Sequence, residues 1–560
     1  MPVTPHTGSK ADLTMIQQVL QRRPSRQTAA WRRAFSASSV PGLPTIARAS
    51  GFSVALWAVL LLAGIMLTGR DVYTVTAQYL NFPVLTAVTL DQAAALPFPA
   101  VTVCNLNRVH CTNLRRMAAE RWGTELGARL LRLHSLTDCQ LSFRRRRQAN
   151  SSESPVTVDQ TPTSTVDQTP PKTVDQTQAF NDLMHFMAVY ANFSTELRSK
   201  MGHSFLQFIR ACTFSGTSCL NNTLFFKQSS DLNYGNCFTF RTERRTVIPG
   251  REYGLSLELF LDQANYLRAG LSPQAGARVV VHETNQEPLP VENGISVSPH
   301  TATSVALLQV QILRQKSPYH ANCTESWATS GYSKYVGSAY KYSSQRCQRV
   351  CLQLAFEEVC ACAHPAYMDL PRGLVPCNLT SGSNAYMCAT RVLDAFESRV
   401  RSCGCNMDCR EVSYETRIST ATWPTDTHWC SVAATLQLVK SCHPADQEYG
   451  GERRRQDKLQ VQGNLLKVEV YLENLRVRSV SQTPALSAQG FVSALGGALS
   501  LYLGLSLLSL LEALGLLLQL LVRPRCPARR KRKVKLPQPI FFTGRFTPPH
   551  RPLFRSRRAW

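Results

Sequence analysis

ALSAQGFVSALGGALSLYLGLSLLSLLEALGLLLQLLV, residues 485–522, is a run of 38 positions whose only charged residue is Glu512. As one straight helix it would reach roughly 57 Å, against a bilayer hydrocarbon core of about 30 Å. Such a segment must tilt, kink or unwind. Small residues mark where: Gly490, Gly496, Gly497, Gly504 and Ser506. A Gly504-Leu505-Ser506 step in mid-span, with a carboxylate two turns later, is poor lipid-facing helix and reads as backbone lining water, the mark of a pore. A small-residue contact between helices is the competing reading.

A second apolar run, Gly51 to Gly69, has 19 residues and no charge, enough for one crossing. The fifty residues before it include Arg22, Arg23, Arg32 and Arg33, too long a lead for an ordinary cleaved leader, so it reads as a signal anchor. Residues 1–50 hold seven Lys/Arg and one acid, and residues 523–560 hold thirteen Lys/Arg and no acid, which accounts for most of the formal net charge of +25. Because this charge flanks two spans, nucleic acid is not the expected partner, and the positive-inside rule puts both termini in the cytoplasm. The run Arg529-Arg530-Lys531-Arg532-Lys533 serves equally as a stop-transfer flank or as a contact for anionic lipid.

The expected organisation is a cytoplasmic N-terminus (1–50), a first span (51–69), an extracellular domain (70–485), a second span and pore (486–522) and a basic cytoplasmic tail (523–560) of a multi-pass plasma-membrane protein. Eighteen of the 19 cysteines fall in the outer segment, with Cys526 alone beyond it. So do all five N-x-[ST] sequons, at Asn150, Asn192, Asn221, Asn322 and Asn378. Strand-like runs recur at Ala100–Cys104, Leu255–Leu261, Arg278–His282, Val305–Leu313 and Leu465–Leu472, and the first and last of these are expected near the membrane. Helices are expected over Glu120–Leu133, His203–Arg210 and Gln345–Val359. The class is α+β.

Residues 144–178 read as a low-complexity insert, with Thr-Val-Asp-Gln-Thr at 157–161, 165–169 and 173–177. It opens on Arg144-Arg145-Arg146-Arg147, which is either a convertase cleavage site in an exposed loop or a solvated basic run. Nine cysteines lie between Cys347 and Cys409. Cys360-Ala361-Cys362-Ala363-His364 could be taken for zinc ligation, but an oxidising compartment favours disulfides. Cys347 and Cys351 share a helix face, Cys403 and Cys405 would share a strand face, and two rungs between them would make a stiff rod.

Five stretches, in order, resemble the degenerin/epithelial sodium channel family, from about residue 40 to 522. They are Phe98-Pro99-Ala100-Val101-Thr102-Val103-Cys104-Asn105; Tyr234-Gly235-Asn236-Cys237-Phe238-Thr239-Phe240; Gly276-Ala277-Arg278-Val279-Val280-Val281-His282; Ala361-Cys362 through Tyr414 to Trp423-Pro424; and Leu495-Gly496-Gly497 through Gly504-Leu505-Ser506 to Glu512. The resemblance implies a trimeric, sodium-preferring, amiloride-sensitive channel subunit, acting as a homotrimer or a heterotrimer with related subunits. Its outer domain would have palm, thumb, finger, knuckle and β-ball. Gly504, Leu505 and Ser506 would form the selectivity filter, Glu512 would line the inner pore, and Ser493, Gly496 and Gly497 would mark the gate and amiloride region.

The same resemblance implies disulfides Cys104–Cys237, Cys212–Cys219, Cys323–Cys409, Cys347–Cys405, Cys351–Cys403, Cys360–Cys388 and Cys362–Cys377. Sequence proximity adds Cys111–Cys139 and Cys430–Cys442. There are departures too. Pro41-Gly42 stands where the family has His-Gly, Gly515 where many relatives carry a second acid, and Asn81-Phe82-Pro83 lacks the histidine of proton-gated members. The tail has Pro548-Pro549-His550-Arg551 and no Pro-Pro-x-Tyr.

Passive Na⁺ permeation gated from the outer domain is therefore the expected function, with a non-conducting two-span receptor or regulatory subunit as the alternative. An ATP-gated two-span channel fits the cysteine content less well. No nucleophile–base pair or metal ligand set remains once the cysteines pair, so neither an enzyme nor a cofactor beyond permeant Na⁺ is expected.

Overall fold

The computed structural model describes residues 36, 41–137, 176–220, 223–268, 270–319, 322–336, 339–367, 374–439 and 451–522. Arg144–Arg147, Asn150, Asn221, Cys139, Cys442 and the tail lie outside them. Two compact units are formed, one from the described parts of Met1–Val75 and Val492–Trp560, the other from Thr76–Phe491.

The larger unit is built on two sheets. The seven-stranded sheet runs Arg410–Thr422, Thr301–Leu313, Leu465–Pro484, Leu255–Phe260, Ile209–Phe214 and Thr217–Ser218, with Val84–Gln92 added beside Leu465–Pro484. Only Thr301–Leu313 against Leu465–Pro484 is parallel, with a register shift between Leu307 and Gln309. The five-stranded sheet runs Ile295–Val297, Ala277–His282, Ala100–Asn105, Gly235–Phe240 and Phe226–Asp231. Leu255, Leu257 and Leu259 alternate into the core along their strand, as the period of two requires. They share one apolar cluster with Val468 and Val470 and, from the second sheet, Val101, Val103, Phe238 and Phe240. Each fully buried side chain of this kind contributes roughly 1.5–3 kcal/mol against exposure.

A helical layer flanks the sheets. Cys111–Glu120, Glu125–Thr137, Gln176–Ala191 and Thr195–Met201 bury Leu114, Met117, Leu130, Leu133, Phe186, Tyr190 and Met201 together. Side-chain acceptors start two of these helices: His110 takes the Asn113 amide and Ser194 the Leu197 amide. A separate pair, Ser344–Cys360 and Asn384–Glu397, packs Phe356 against Ala389 and Val392.

Several expectations need correction. Glu120–Leu133 is not one helix, because the chain turns at Arg121–Thr124, where Gly123 has φ +82°. His203–Arg210 is helical only at Phe205–Phe208; Ile209 onward is strand, paired with Leu255–Leu259. Ala100–Asn105 does not pair with the last strand; Val84–Gln92 does so, in register from Val84↔Pro484 to Gln92↔Arg476. Cys403 and Cys405 lie outside any strand, on either side of Gly404 at φ +59°. The insert ends earlier than 178, since helix begins at Gln176.

In the smaller unit, Phe52–Leu80 is the one described helix long and apolar enough to cross a membrane. It extends eleven residues past the expected Gly69 boundary. The 485–522 run is two helices, Ala488–Leu503 and Leu507–Val522.

Candidate functional site

The chain leaves helical geometry at Gly504-Leu505-Ser506. Gly504 sits at φ +61°, a left-handed position that closes a helix without Cβ conflict. Its amide donates to the Ser500 carbonyl (2.9 Å), the bond that ends such a helix, while the Leu505 amide reaches back to the Leu499 carbonyl (3.2 Å). The Leu505 and Ser506 amides are thereby withdrawn from the helical ladder, which releases the carbonyls of Leu501 and Tyr502. Ser506 starts the next helix: its hydroxyl accepts the Ser509 amide (3.2 Å) and lies 2.9 Å from the Ser509 hydroxyl. The step is thus a designed stop and restart, stabilised on both sides.

Two regions that the sequence left far apart are brought together here. A Cβ built on Gly504 would lie 2.9 Å from the Pro41 ring, so the Pro41-Gly42 turn packs against the break. Gly42 has φ +88°, and its carbonyl accepts the Ile46 amide (3.0 Å) to begin helix Leu43–Arg48. The long helix also approaches closely, since a Cβ on Gly64 would lie 2.9 Å from the Tyr502 carbonyl oxygen. The Tyr502 hydroxyl is hydrogen-bonded to Asp71. The sequence reading missed Gly64 and Tyr502; a glycine inside an otherwise bulky span was the available signal for the first.

Ser493, Gly496 and Gly497 lie on Ala488–Leu503, exposed, at the i, i+3, i+4 spacing that places them on one face. Glu512 is exposed on Leu507–Val522, eight residues past the break.

The larger unit is cross-linked as a scaffold. Its disulfides are Cys104–Cys237, Cys212–Cys219, Cys323–Cys409, Cys347–Cys405, Cys351–Cys403, Cys360–Cys388 and Cys362–Cys377. Cys111 and Cys430 are also disulfide-bonded. Cys360 and Cys362 are consumed in this way, and among the described residues no His/Cys/Asp/Glu group could hold a metal ion. Asn192, Asn322 and Asn378 are exposed.

Ion pairs fix the start of helix Ser344–Cys360 to the 283–292 segment: Lys341–Glu283 (3.1 Å), Arg346–Glu287 (3.1 Å) and Arg349–Glu292 (3.7 Å). Asp408 accepts a backbone hydrogen bond from Ser344 at the same helix end, and burial together with the Glu411 charge pushes its carboxyl up to about 6. Beneath helices Cys111–Glu120 and Thr195–Met201, burial beside His110 holds His203 neutral, with its pKa down at about 3.

Residues 34–516 match the family model described as amiloride-sensitive sodium channel. The chain is 27% identical over 340 residues to the epithelial sodium channel subunit gamma of Bos taurus, covering 59% of this chain and 49% of that protein. It is 27% identical over 336 residues to the alpha subunit of Neoceratodus forsteri, covering 59% and 48%. The FMRFamide-activated amiloride-sensitive sodium channel of Cornu aspersum is 23% identical over 542 residues, covering 83% and 79%. The chain spans about half the length of the first two of these curated relatives. The family is one of ion channels, not enzymes. With a match reaching from residue 34 to residue 516, the chain belongs to the amiloride-sensitive sodium channel family.

Proposed function

We propose that this chain is a pore-forming subunit of an amiloride-sensitive, sodium-selective cation channel of the plasma membrane, crossing it twice with both termini in the cytoplasm. Three copies, identical or mixed with related subunits, would bring their Gly504–Ser506 steps around one axis. The observation that carries this reading is the unwound step itself, with carbonyls released from the ladder at mid-span. At membrane depth such carbonyls are stable only where protein, water or an ion meets them; that of Tyr502 faces Gly64, and rings of carbonyls at this step would replace the hydration shell of a permeating cation. Glu512, past the filter, would raise the local cation concentration. Exposed small side chains at Ser493, Gly496 and Gly497 leave room for a gate that closes by close approach. The exposed apolar residues Leu85, Val88 and Leu90 on the strand beside Leu465–Pro484 suit burial between copies.

The test is whole-cell recording from cells without such channels, expressing the chain alone and with epithelial-type relatives. The expected result is an amiloride-blocked inward Na⁺ current whose Li⁺/Na⁺/K⁺ preference changes when Ser506 is substituted. Surface-delivered protein with no such current in any combination would favour a non-conducting subunit.

A further inference from the structure

A cavity of about 270 Å³ in the outer unit is lined by Arg108, Asn233, Tyr234, Gln274, Arg278 and Ser296, among others. It is unusual in its charge. Arg108 is held by the Asn233 carbonyl (2.9 Å from Nε) and the Met187 sulfur (2.8 Å from NH1), and it lies over the Phe186 ring at 5.7 Å. Arg278 donates to the Pro290 carbonyl (2.8 Å), the Ser296 hydroxyl (2.8 Å) and the Val291 carbonyl (3.1 Å). All six partners are uncharged, and neither guanidinium forms an ion pair with a carboxylate among the described residues. The nearby acids are otherwise engaged or distant: Glu292 faces Arg349, and Asp231 acts on Arg108 only through space.

Burial lowers the Arg108 pKa, so the charge sits where it is costly to leave uncompensated. Burial raises the Tyr234 pKa, and its hydroxyl lies within the field of both arginines and also of Asp231 and Glu292. Its hydroxyl and the Gln274 amide make no hydrogen bond among the described residues, which leaves two further donors at the same cavity. Beyond their bonds to the protein, Arg108 keeps three N–H donors and Arg278 two, and with the two neutral donors they suit a carboxylate, which accepts up to four hydrogen bonds. The volume admits an anion of several heavy atoms with attendant water.

We infer that this cavity is a binding site for a small organic carboxylate, held between Arg108 and Arg278 with Tyr234 donating. Its occupant would tie residues 271–274 and strand Ala277–His282 to the turn before Gly235–Phe240. The inference does not depend on the pore reading.

The experiment uses the full chain in lipid nanodiscs at constant ionic strength, with sodium isethionate replaced stepwise by sodium acetate or sodium chloride. The sulfonate of isethionate is a much weaker base and hydrogen-bond acceptor than a carboxylate, so it serves as background. Acetate is expected to raise the apparent melting temperature saturably, by about 2–5 °C. Arg108→Lys keeps the charge and loses the fork; Tyr234→Phe and Gln274→Leu keep the fold and lose one donor each. Each should weaken the acetate response at least about threefold, with melting in isethionate alone near wild type for the last two. Stabilisation by acetate with a weaker effect of chloride supports the site. No anion dependence, an undiminished response in Tyr234→Phe and Gln274→Leu, or a response to chloride without one to acetate overturns it.

Discussion

The Pro41 ring occupies the space that a side chain on Gly504 would need, at 2.9 Å from the position of its Cβ. A proline 463 residues earlier in the chain therefore bears on the one left-handed residue of the 485–522 run. Gly504→Ala meets both obstacles. The left-handed conformation alone costs about 1–2 kcal/mol with a Cβ, which is close to tenfold in a two-state equilibrium. Whole-cell recording should show amiloride-blocked current reduced about tenfold at unchanged surface labelling. Pro41→Ala, which vacates the space, should restore part of it in the double variant. A Gly504→Ala protein with wild-type current and ion preference would remove the step from the filter.

Ser493 is exposed on its helix, with Gly496 and Gly497 beside it. A bulky residue there should prevent close approach of three copies and raise steady-state current several-fold, measured before and after amiloride. Unchanged current would place the gate elsewhere.

Cys351–Cys403 closes a loop of 52 residues. Cys347–Cys405 already bridges the same stretch, so the added ring spans only the few residues between the two rungs, and chain-entropy reasoning assigns this link about 2.5 kcal/mol. Cys351→Ser and the double variant with Cys403→Ser should lower denaturant stability by the same amount, because either removes the whole rung. A single-site loss much larger than the double would mean that the freed thiol, not the lost link, does the damage.

Two titrating groups should pull stability in opposite directions as the pH falls. His203 is buried and its pKa is lowered to about 3 by desolvation and His110, with Asp262 opposing. The unfolded chain takes up a proton below about 6.5 that the folded chain refuses, so stability is lost as pH falls from there towards 3. Asp408 is raised to about 6 by desolvation and Glu411, with Ser344 and Lys341 opposing. The folded chain takes that proton before the unfolded one, so stability is gained between about 6 and 4. Melting temperature against pH should steepen in Asp408→Asn and flatten in His203→Gln. Parallel curves for both variants would remove these groups from the acid response.

The legible parts of the sequence were those in which local pattern and tertiary packing agree. Gln345–Val359 is helical over Ser344–Cys360, and Leu255–Leu261 is a strand to Phe260, because each has one buried face at its own period. The break at Gly504 was readable because length, glycine and serine all pointed to it. His203–Arg210 was misread because pairing with Leu255–Leu259 overrides helical spacing at Ile209. Val84–Gln92 escaped notice because it is exposed almost throughout and so carries no core face in its pattern. The packing of Pro41 on Gly504 left no local trace, since no periodicity connects residues so remote.

The antiparallel ribbon Val84–Gln92 with Arg476–Pro484 has a further consequence. It joins the two chain leads that run into the apolar helices, and nine consecutive rungs hold it in step. Sliding by one rung, about 3.4 Å, would break the ladder hydrogen bonds along its whole length at once, so small offsets are not available. Such a coupling has no play: it can swing or twist as a single spring, and whatever tugs one lead must carry the other with it.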